Sequence, residues 1–85
     1  MISNSANTVV CSVYDDKAKF FSTPFFSQND EVAIRDFVDI VENPKSPFGK
    51  NRNDYSLVSI GTFNADTGAL EAHEPKTIFN GSNIS

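Results

Sequence analysis

The chain has 85 residues, enough for one small domain in which roughly 60–65 % of the unfolded surface can be buried on folding. It is 39 % hydrophobic and 21 % charged, which excludes a disordered chain. Its net charge of −4 excludes the overall basic character of most nucleic-acid-binding proteins. Five of the eleven acidic residues lie between Asp30 and Glu42, where Arg35 is the one base, so the acidity belongs to one segment.

The chain carries one cysteine, Cys11, and one histidine, His73. This composition excludes an intramolecular disulfide and leaves too few soft ligands for a zinc site. Residues 1–7 have no basic start and no apolar core, so they predict a flexible polar extension rather than a signal peptide. The apolar runs are all far shorter than the ~18 residues needed to span a membrane. We therefore expect a soluble, intracellular protein without membrane contact, bound metal or cofactor.

Two extended segments begin the predicted domain, which covers residues 8–75. Residues 8–14 alternate, with valines and Cys11 on one face, and predict a strand. After a short polar turn, the aromatic run 19–23 predicts a second strand and thus a hairpin. Pro24 lacks a backbone donor, so this second strand should end, bulge or lie at an edge there.

Residues 29–42 give the clearest helical pattern in the sequence. Asn29 is a suitable N-cap, and Asp30 and Glu31 occupy the first turn, where the helix dipole favours acids. Pro44 disfavours helical geometry in the residue before it and ends the segment. One apolar stripe at three- and four-residue spacings comprises Ala33, Ile34, Phe37, Val38, Ile40 and Val41. The pattern predicts a helix with one buried face.

The second half of the chain predicts a loop and a second hairpin. Residues 44–54 carry two prolines and a glycine without periodicity, which indicates a loop. Residues 55–63 predict a third strand and, after a turn, residues 69–73 a weaker fourth strand that ends before Pro75. Residues 76–85 form a C-terminal tail. The order is β-β-α-β-β, an α+β fold with a small antiparallel sheet and one amphipathic helix packed on one face.

A series of short motifs follows the predicted elements along the chain: Val13-Tyr14-Asp15, Lys17-Ala18, Pro24-Phe25, Ala33, Arg35, Phe37, Asn43-Pro44, Phe48, Asp54-Tyr55-Ser56-Leu57, Ile60-Gly61, Phe63 and Asp66-Thr67-Gly68. Their order and spacing resemble a known family, the short non-structural protein of gokushovirus-type microviruses, which are single-stranded DNA phages. The resemblance implies a phage protein of the host bacterial cytoplasm with an expected DNA-binding role in genome replication or packaging. The chain differs from the family pattern in its polar N-terminal extension and in the basic residues Lys50 and Arg52.

The sequence does not indicate an enzyme, and we expect no catalytic residues. His73 has two glutamates nearby but no positioned partner set, so it reads as a surface histidine. Residues 15–16 are adjacent acids in a turn, which are usually solvated rather than metal-bound. Cys11 alternates with valines and reads as a small buried hydrophobic residue. Phosphate-binding loops and nucleophile motifs are absent from the sequence.

Basic and aromatic residues alternate in two segments, as in proteins that bind single-stranded nucleic acid. Cations in such proteins neutralise phosphates while aromatic faces stack on bases. The candidate nucleic-acid-binding residues are Lys17, Lys19 and Phe21 in the first hairpin and Lys45, Phe48, Lys50, Arg52 and Tyr55 in and after the loop. The alternative is that these are solvated charges and core phenylalanines.

The eight phenylalanines exceed what a small core needs. Phe37, Phe63 and one ring of each adjacent pair, residues 20–21 and 25–26, are expected in the core. The second ring of each pair then lies on the sheet face away from the helix. Nucleic acid and a second subunit both explain such exposed rings.

Two functions therefore remain open. The first is a homodimeric protein that binds single-stranded DNA without sequence specificity. The second is an adaptor that contacts host replication or phage assembly proteins without touching DNA.

Overall fold

The computed structural model describes residues 7–43, 45 and 51–83. The elements are β1 (Asn7–Asp15), β2 (Phe20–Phe21), β3 (Phe25–Ser27), α1 (Asp30–Glu42), β4 (Tyr55–Asn64) and β5 (Ala69–Asn80), with 3₁₀ turns at Arg52–Asp54 and Gly81–Asn83. One antiparallel sheet carries a single α-helix within the described part of the chain. This confirms the predicted α+β class.

The first strands of the two predicted hairpins, β1 and β4, pair with each other in the centre of the sheet. The strand order is β2-β1-β4-β5, and β3 also pairs with β1, so that β2 and β3 together form one interrupted edge of the sheet. The central pairing of β1 with β4 runs from Asn7 opposite Asn64 to Asp15 opposite Tyr55. The sheet therefore depends on contacts between distant parts of the sequence.

The edge formed by β2 and β3 is interrupted at Pro24, as the sequence predicts. The backbone amide of Ser22 donates to the carbonyl oxygen of Val13, and after Pro24 the chain pairs with β1 again through β3. Proline has no amide hydrogen for a sheet ladder and is tolerated at an edge. The additional strand β3 is only three residues long and follows directly from this interruption.

Helix α1 begins and ends where the sequence predicts. The side-chain oxygen of Asn29 accepts a hydrogen bond of 2.9 Å from the amide of Val32, which satisfies one of the free donors of the first turn. Asp30 and Glu31 occupy that turn, where the helix dipole favours negative charge. After Glu42 the backbone becomes extended.

The core lies between α1 and the helix-facing side of β1 and β4. Its wholly or almost wholly buried members are Ala33, Phe37 and Val41 from the helix and Cys11, Val13 and Leu57 from the strands. The rings of Phe37 and Phe79 meet edge to face, with centroids 6.1 Å apart. The expected burial of Phe37, Val41 and Cys11 is confirmed.

The fourth predicted strand is longer than expected, and the prediction that it ends before Pro75 is wrong. In β5, Ala72 pairs with Gly61 and Lys76 with Ser59, so that three residues of β5 lie opposite Ile60 alone. Pro75 lies in this bulge on an edge strand, where no ladder donor is needed. Residues 76–80 therefore belong to the sheet.

The phenylalanines are distributed differently from the prediction at two places. Phe25 packs against the core, as expected for one ring of its pair, and Phe26 lies on the other face. Phe20 and Phe21 are both exposed, because β2 is two residues long and lies at the end of the sheet. Phe63 is half-buried on the face away from the helix, where its ring meets that of Phe26.

Candidate nucleic-acid interface

The turn between β1 and β2 is organised by one carboxylate. Oδ1 of Asp15 accepts hydrogen bonds of 3.0 Å from the amides of both Lys17 and Ala18, and the carbonyl oxygen of Asp15 accepts one of 2.7 Å from the amide of Lys19. Lys19 closes the turn with φ of 62°, in the left-handed region that non-glycine residues seldom occupy. The backbone positions of both lysines are thus fixed by Asp15.

A second turn lies directly against the first. The amide of Asp16 donates a 2.8 Å hydrogen bond to the carbonyl oxygen of Asp54, the last residue of the Arg52–Asp54 turn. On its other side, the chain returns at Gly81, so close that a Cβ atom there would collide with the backbone carbonyl of Arg52. These contacts hold the Arg52 turn between the first hairpin and the end of β5.

The two turns enclose a polar concavity at one end of the sheet. It has a volume of about 360 Å³ and is lined by Lys17, Asn51, Arg52, Asn53 and Asp54. Two predicted cations that are 35 positions apart in sequence therefore lie around one depression. Its side-chain amides and cationic groups can donate hydrogen bonds to an anionic ligand.

Two ion pairs border this polar concavity. Lys19 Nζ lies 3.7 Å from Asp16 Oδ1, and Arg52 Nη1 lies 3.3 Å from Glu42 Oε2 at the end of α1. Both pairs are exposed to solvent, where such interactions contribute little to stability and salt screens them readily. A phosphate group can therefore compete with either carboxylate for its cation. Lys17 makes no ion pair within the described residues.

An aromatic pair, half-buried Tyr14 and exposed Phe21, lies next to the lysine turn. The rings of Tyr14 and Phe21, which are cross-strand neighbours, have centroids 4.7 Å apart and planes inclined by 52°. Because Val13 faces the helix, Tyr14 and its neighbour face the opposite side of the sheet. Phe21 is 44 % exposed. A base can stack on this ring while its phosphate meets the adjacent lysines.

Tyr55 differs from the other candidate residues in its surroundings. It pairs with Asp15 in the sheet and packs, half-buried, against the core. Burial raises the pKa of its hydroxyl, and the nearby carboxylates of Asp15 and Asp54 raise it further. Its ring is therefore committed mainly to packing at the end of the sheet.

The remaining candidates are placed only in part. Lys45 is exposed, and its amide donates a 2.9 Å hydrogen bond to the side chain of Asn43 just after α1. Phe48 and Lys50 lie outside the described residues. Of the predicted set, the structure thus brings Lys17, Lys19, Phe21, Arg52 and Tyr55 to one end of the sheet, with Tyr55 packed against the core.

An apolar groove on the helix-free face was not found from the sequence. Its volume is about 460 Å³, and it is lined by Val10, Pro24, Phe26, Ile60, Leu70 and Ala72, with Gly61 and Glu71 completing it. We call this set the apolar groove. The adjacent phenylalanines indicated that one ring would face this side. The opposing position of Leu70 could not be predicted, because it depends on the bulged register between β4 and β5.

A model of the phage ORF5 protein family matches residues 8–84. The chain belongs to this family. Comparisons with curated proteins and with solved structures gave no match.

In this phage ORF5 protein, the surroundings of Cys11 and His73, the two residues weighed for catalysis, are defined by burial and by hydrogen bonds. Cys11 is buried. Burial raises the pKa of its thiol, the nearby carboxylate of Asp30 raises it further, and the resulting value is about 11. His73 Nδ1 donates to the carbonyl oxygen of Glu74 at 2.8 Å, and its Nε2 lies 3.3 Å from the hydroxyl of Ser59. A thiol with this pKa carries almost no thiolate at neutral pH, so it is a poor nucleophile.

Two further findings concern the described part of this phage ORF5 protein. It holds no cluster of three or more His, Cys, Asp or Glu side chains arranged to bind a metal ion. Nor does it contain a helix with the length and apolar character needed to cross a membrane.

Proposed function

We propose that this phage ORF5 protein binds single-stranded DNA without sequence specificity, as an accessory protein of a microvirus acting in genome replication or packaging. The polar concavity carries the proposal, because Lys17 and Arg52 line it together and the exposed ring of Phe21 follows the turn that contains Lys17. Phosphates and bases of one strand can be bound by these two features at once. Family membership supports a phage origin. The resemblance to gokushovirus proteins supports action in the host bacterial cytoplasm.

The charge distribution supports binding through this end of the sheet only. Four of the five acidic side chains of α1 lie exposed along the helix, on the other side of the sheet from Phe21, and only Glu42 reaches the polar concavity, where it pairs with Arg52. With a net charge of −4, the protein as a whole repels DNA, so affinity has to come from local contacts. The affinity for single strands should fall with salt at a slope of ~0.7 per phosphate contact, which gives a total slope of ~2–4 for the roughly three to six contacts that a dimer can make.

A titration of single- and double-stranded oligonucleotides at two salt concentrations tests this function. The double substitution Lys17→Glu with Arg52→Glu should abolish binding to single strands. The matched control is Arg35→Glu with Lys76→Glu, which changes the net charge equally at exposed positions on α1 and β5. This control should retain most of the affinity if the polar concavity is the binding site.

The aromatic contribution is tested with a second pair of variants. Phe21→Ala should weaken binding without changing the salt slope, because stacking does not release counterions. Phe20→Ala is the matched control, since Phe20 is even more exposed than Phe21 but lies opposite Asp15, on the side of the sheet that carries the helix. A wild-type protein without measurable affinity for single strands at low salt would refute the proposed function.

The second candidate function is a protein adaptor that acts on host replication or phage assembly factors without DNA contact. The apolar groove favours it, because its lining includes no lysine or arginine and its rim residues Phe26 and Leu70 are exposed. Absence of DNA binding together with unchanged folding would make this the preferred function. The acidic side of α1 would then be a candidate surface for a basic partner.

A further inference from the structure

We propose that the apolar groove is covered by a second copy of this chain, in a two-fold dimer that places the two sheets face to face and the two helices outside. The proposal concerns an interaction surface and does not depend on DNA binding. It is therefore testable on the protein alone, in the absence of nucleic acid.

The groove combines exposed ridges with a deep floor. Phe26 is 56 % exposed and Leu70 is 64 % exposed, and they border the groove from opposite edges of the sheet. Its floor contains Gly61, where β5 approaches so closely that a Cβ atom would lie 2.5 Å from the carbonyl oxygen of Glu71. A large side chain from a partner can enter between the ridges. Phe26 or Leu70 of the partner subunit has the size and apolar character that this space requires.

Among the residues that the structure describes, no element covers this face of the sheet. Helix α1 packs on one side of the sheet only, and a sheet is stable when each apolar face is packed against another layer. Two sheets that pack face to face bring their inner side chains into contact at a spacing of about 10 Å. A second copy therefore supplies the missing layer, because its own helix-free face is equally apolar.

The distribution of charge determines how two copies can approach. Each copy carries a net charge of −4, so an interface that juxtaposed the acids would be opposed by repulsion. The acids of α1 are on the far side of the sheet from the groove, and Glu71 is the one charged residue among the groove's lining. Contact between grooves places the acidic helices at opposite outer sides of the dimer, where their repulsion is smallest and most strongly screened.

The same observation disfavours nucleic acid as the occupant of the groove. A strand bound there would meet apolar side chains and Glu71, and the described part of the chain supplies no lysine or arginine to the lining that could neutralise its phosphates.

The dimensions of the molecule are compatible with a dimer. A molecule of 41 × 24 × 20 Å has room on one face for the ~800 Å² that each partner of a standard interface buries.

The experiment is a measurement of mass by light scattering and sedimentation over micromolar concentrations of the full chain. Wild-type protein should have twice the chain mass of 9.3 kDa. Leu70→Glu and Phe26→Glu should each raise the dimer dissociation constant at least ~10-fold, because they place a charge in the centre of the contact. Phe20→Glu is the matched control, a phenylalanine that is 59 % exposed on the helix-bearing side, and it should remain dimeric.

Three outcomes would overturn the proposal. They are a monomeric wild-type protein, groove variants that remain dimeric, and dissociation of Phe20→Glu to the same extent as the groove variants. If Phe26→Glu does not fold, Leu70→Glu decides, because Leu70 is more exposed and lies on an edge strand. A monomeric wild type whose affinity for single-stranded DNA is lost in the groove variants would assign the groove to nucleic acid instead.

Discussion

The hydroxyl of Ser12 donates a 2.7 Å hydrogen bond to the carbonyl oxygen of Ser22, at the gap between β2 and β3. The hydroxyl of Ser22 in turn accepts a 3.0 Å hydrogen bond from the amide of Val13. Side chains thus replace ladder hydrogen bonds where the edge is interrupted. Ser12→Ala removes the fully buried hydroxyl that donates to the carbonyl oxygen of half-buried Ser22, so it should lower the free energy of unfolding by ~1–3 kcal/mol in urea denaturation.

Ser27 provides the matched comparison for Ser12. Its hydroxyl is also buried, but it has no hydrogen-bond partner within the described residues. Ser27→Ala removes an unsatisfied group and should leave the stability unchanged or raise it. A greater loss of stability for Ser27→Ala than for Ser12→Ala would contradict this prediction. It would show that hydrogen bonding by the two hydroxyls does not determine how much each serine contributes to the free energy of unfolding.

Phe37 is the largest fully buried side chain of the core. Phe37→Ala should cost ~3–5 kcal/mol, because the lost burial is accompanied by a cavity that the helix cannot close. That loss is comparable to the total stability of a small domain, so thermal unfolding should become non-cooperative or shift far downward. Ile40→Ala, at a half-buried position of the same helix, should cost much less. A near-native melting temperature for Phe37→Ala would contradict the packing described for α1.

The thiol of Cys11 should make stability depend on pH in the alkaline range. Its pKa is raised from 9.0 to about 11, first by burial and then by Asp30. Above pH 9.0 the unfolded chain releases the proton while the folded chain retains it, so ionisation favours unfolding. The corresponding stabilisation is complete below pH 9.0 and is lost between pH 9.0 and about 11. Urea denaturation of wild type and of Cys11→Ala across this range should give diverging curves.

Comparison with Cys11→Ala separates the effect of the thiol from that of the Tyr55 hydroxyl, which also titrates in the alkaline range. The pKa of Tyr55 is also raised, but Tyr55 is present in both proteins and its effect cancels. Parallel stability curves for the two proteins would mean that the folded thiol titrates as it does in the unfolded chain.

Gly81 should couple the end of β5 to the DNA affinity of the polar concavity. A Cβ atom at this position collides with the backbone of Arg52, so Gly81→Ala forces the Arg52 turn away from its place beside Lys17. We expect weaker binding to single strands in the titration described above. Gly68→Ala is the control: it has open space around a Cβ atom but φ of +78°, so it should cost ~1 kcal/mol of stability and leave the affinity unchanged.

The elements that local patterns specify were predictable from the sequence. The helix has a capping residue, an acidic first turn and a continuous apolar stripe, and all three are local signals that agree. The extent of β5 was not predictable, because Pro75 by itself indicates the end of a strand. The strand can continue past Pro75 only because this proline lies in a bulge of an edge strand, where its missing amide hydrogen is not needed.

The residues of the candidate site could be identified from the sequence by their type, but their arrangement in space could not. Lys17 and Arg52 were singled out by charge, whereas their common concavity depends on the hydrogen bond from Asp16 to Asp54, between two turns that are distant in sequence. Tyr55 was chosen because it is aromatic, and alternation along β4 instead directs its ring to the core. The apolar groove needs the register of three strand pairings, which no single segment encodes.

The pairing of β1 with β4 has a consequence for synthesis of the protein. The register joins Asp15 to Tyr55 and Asn7 to Asn64, so the two central strands are complete only when three quarters of the chain has been translated. Until then, β1 and α1 have no opposing strand to complete their core, and their apolar side chains remain open to solvent. A fragment that ends at Asp54 should show no cooperative unfolding transition. Folding of this protein therefore has to wait for β4, and the earlier segments form no stable domain by themselves.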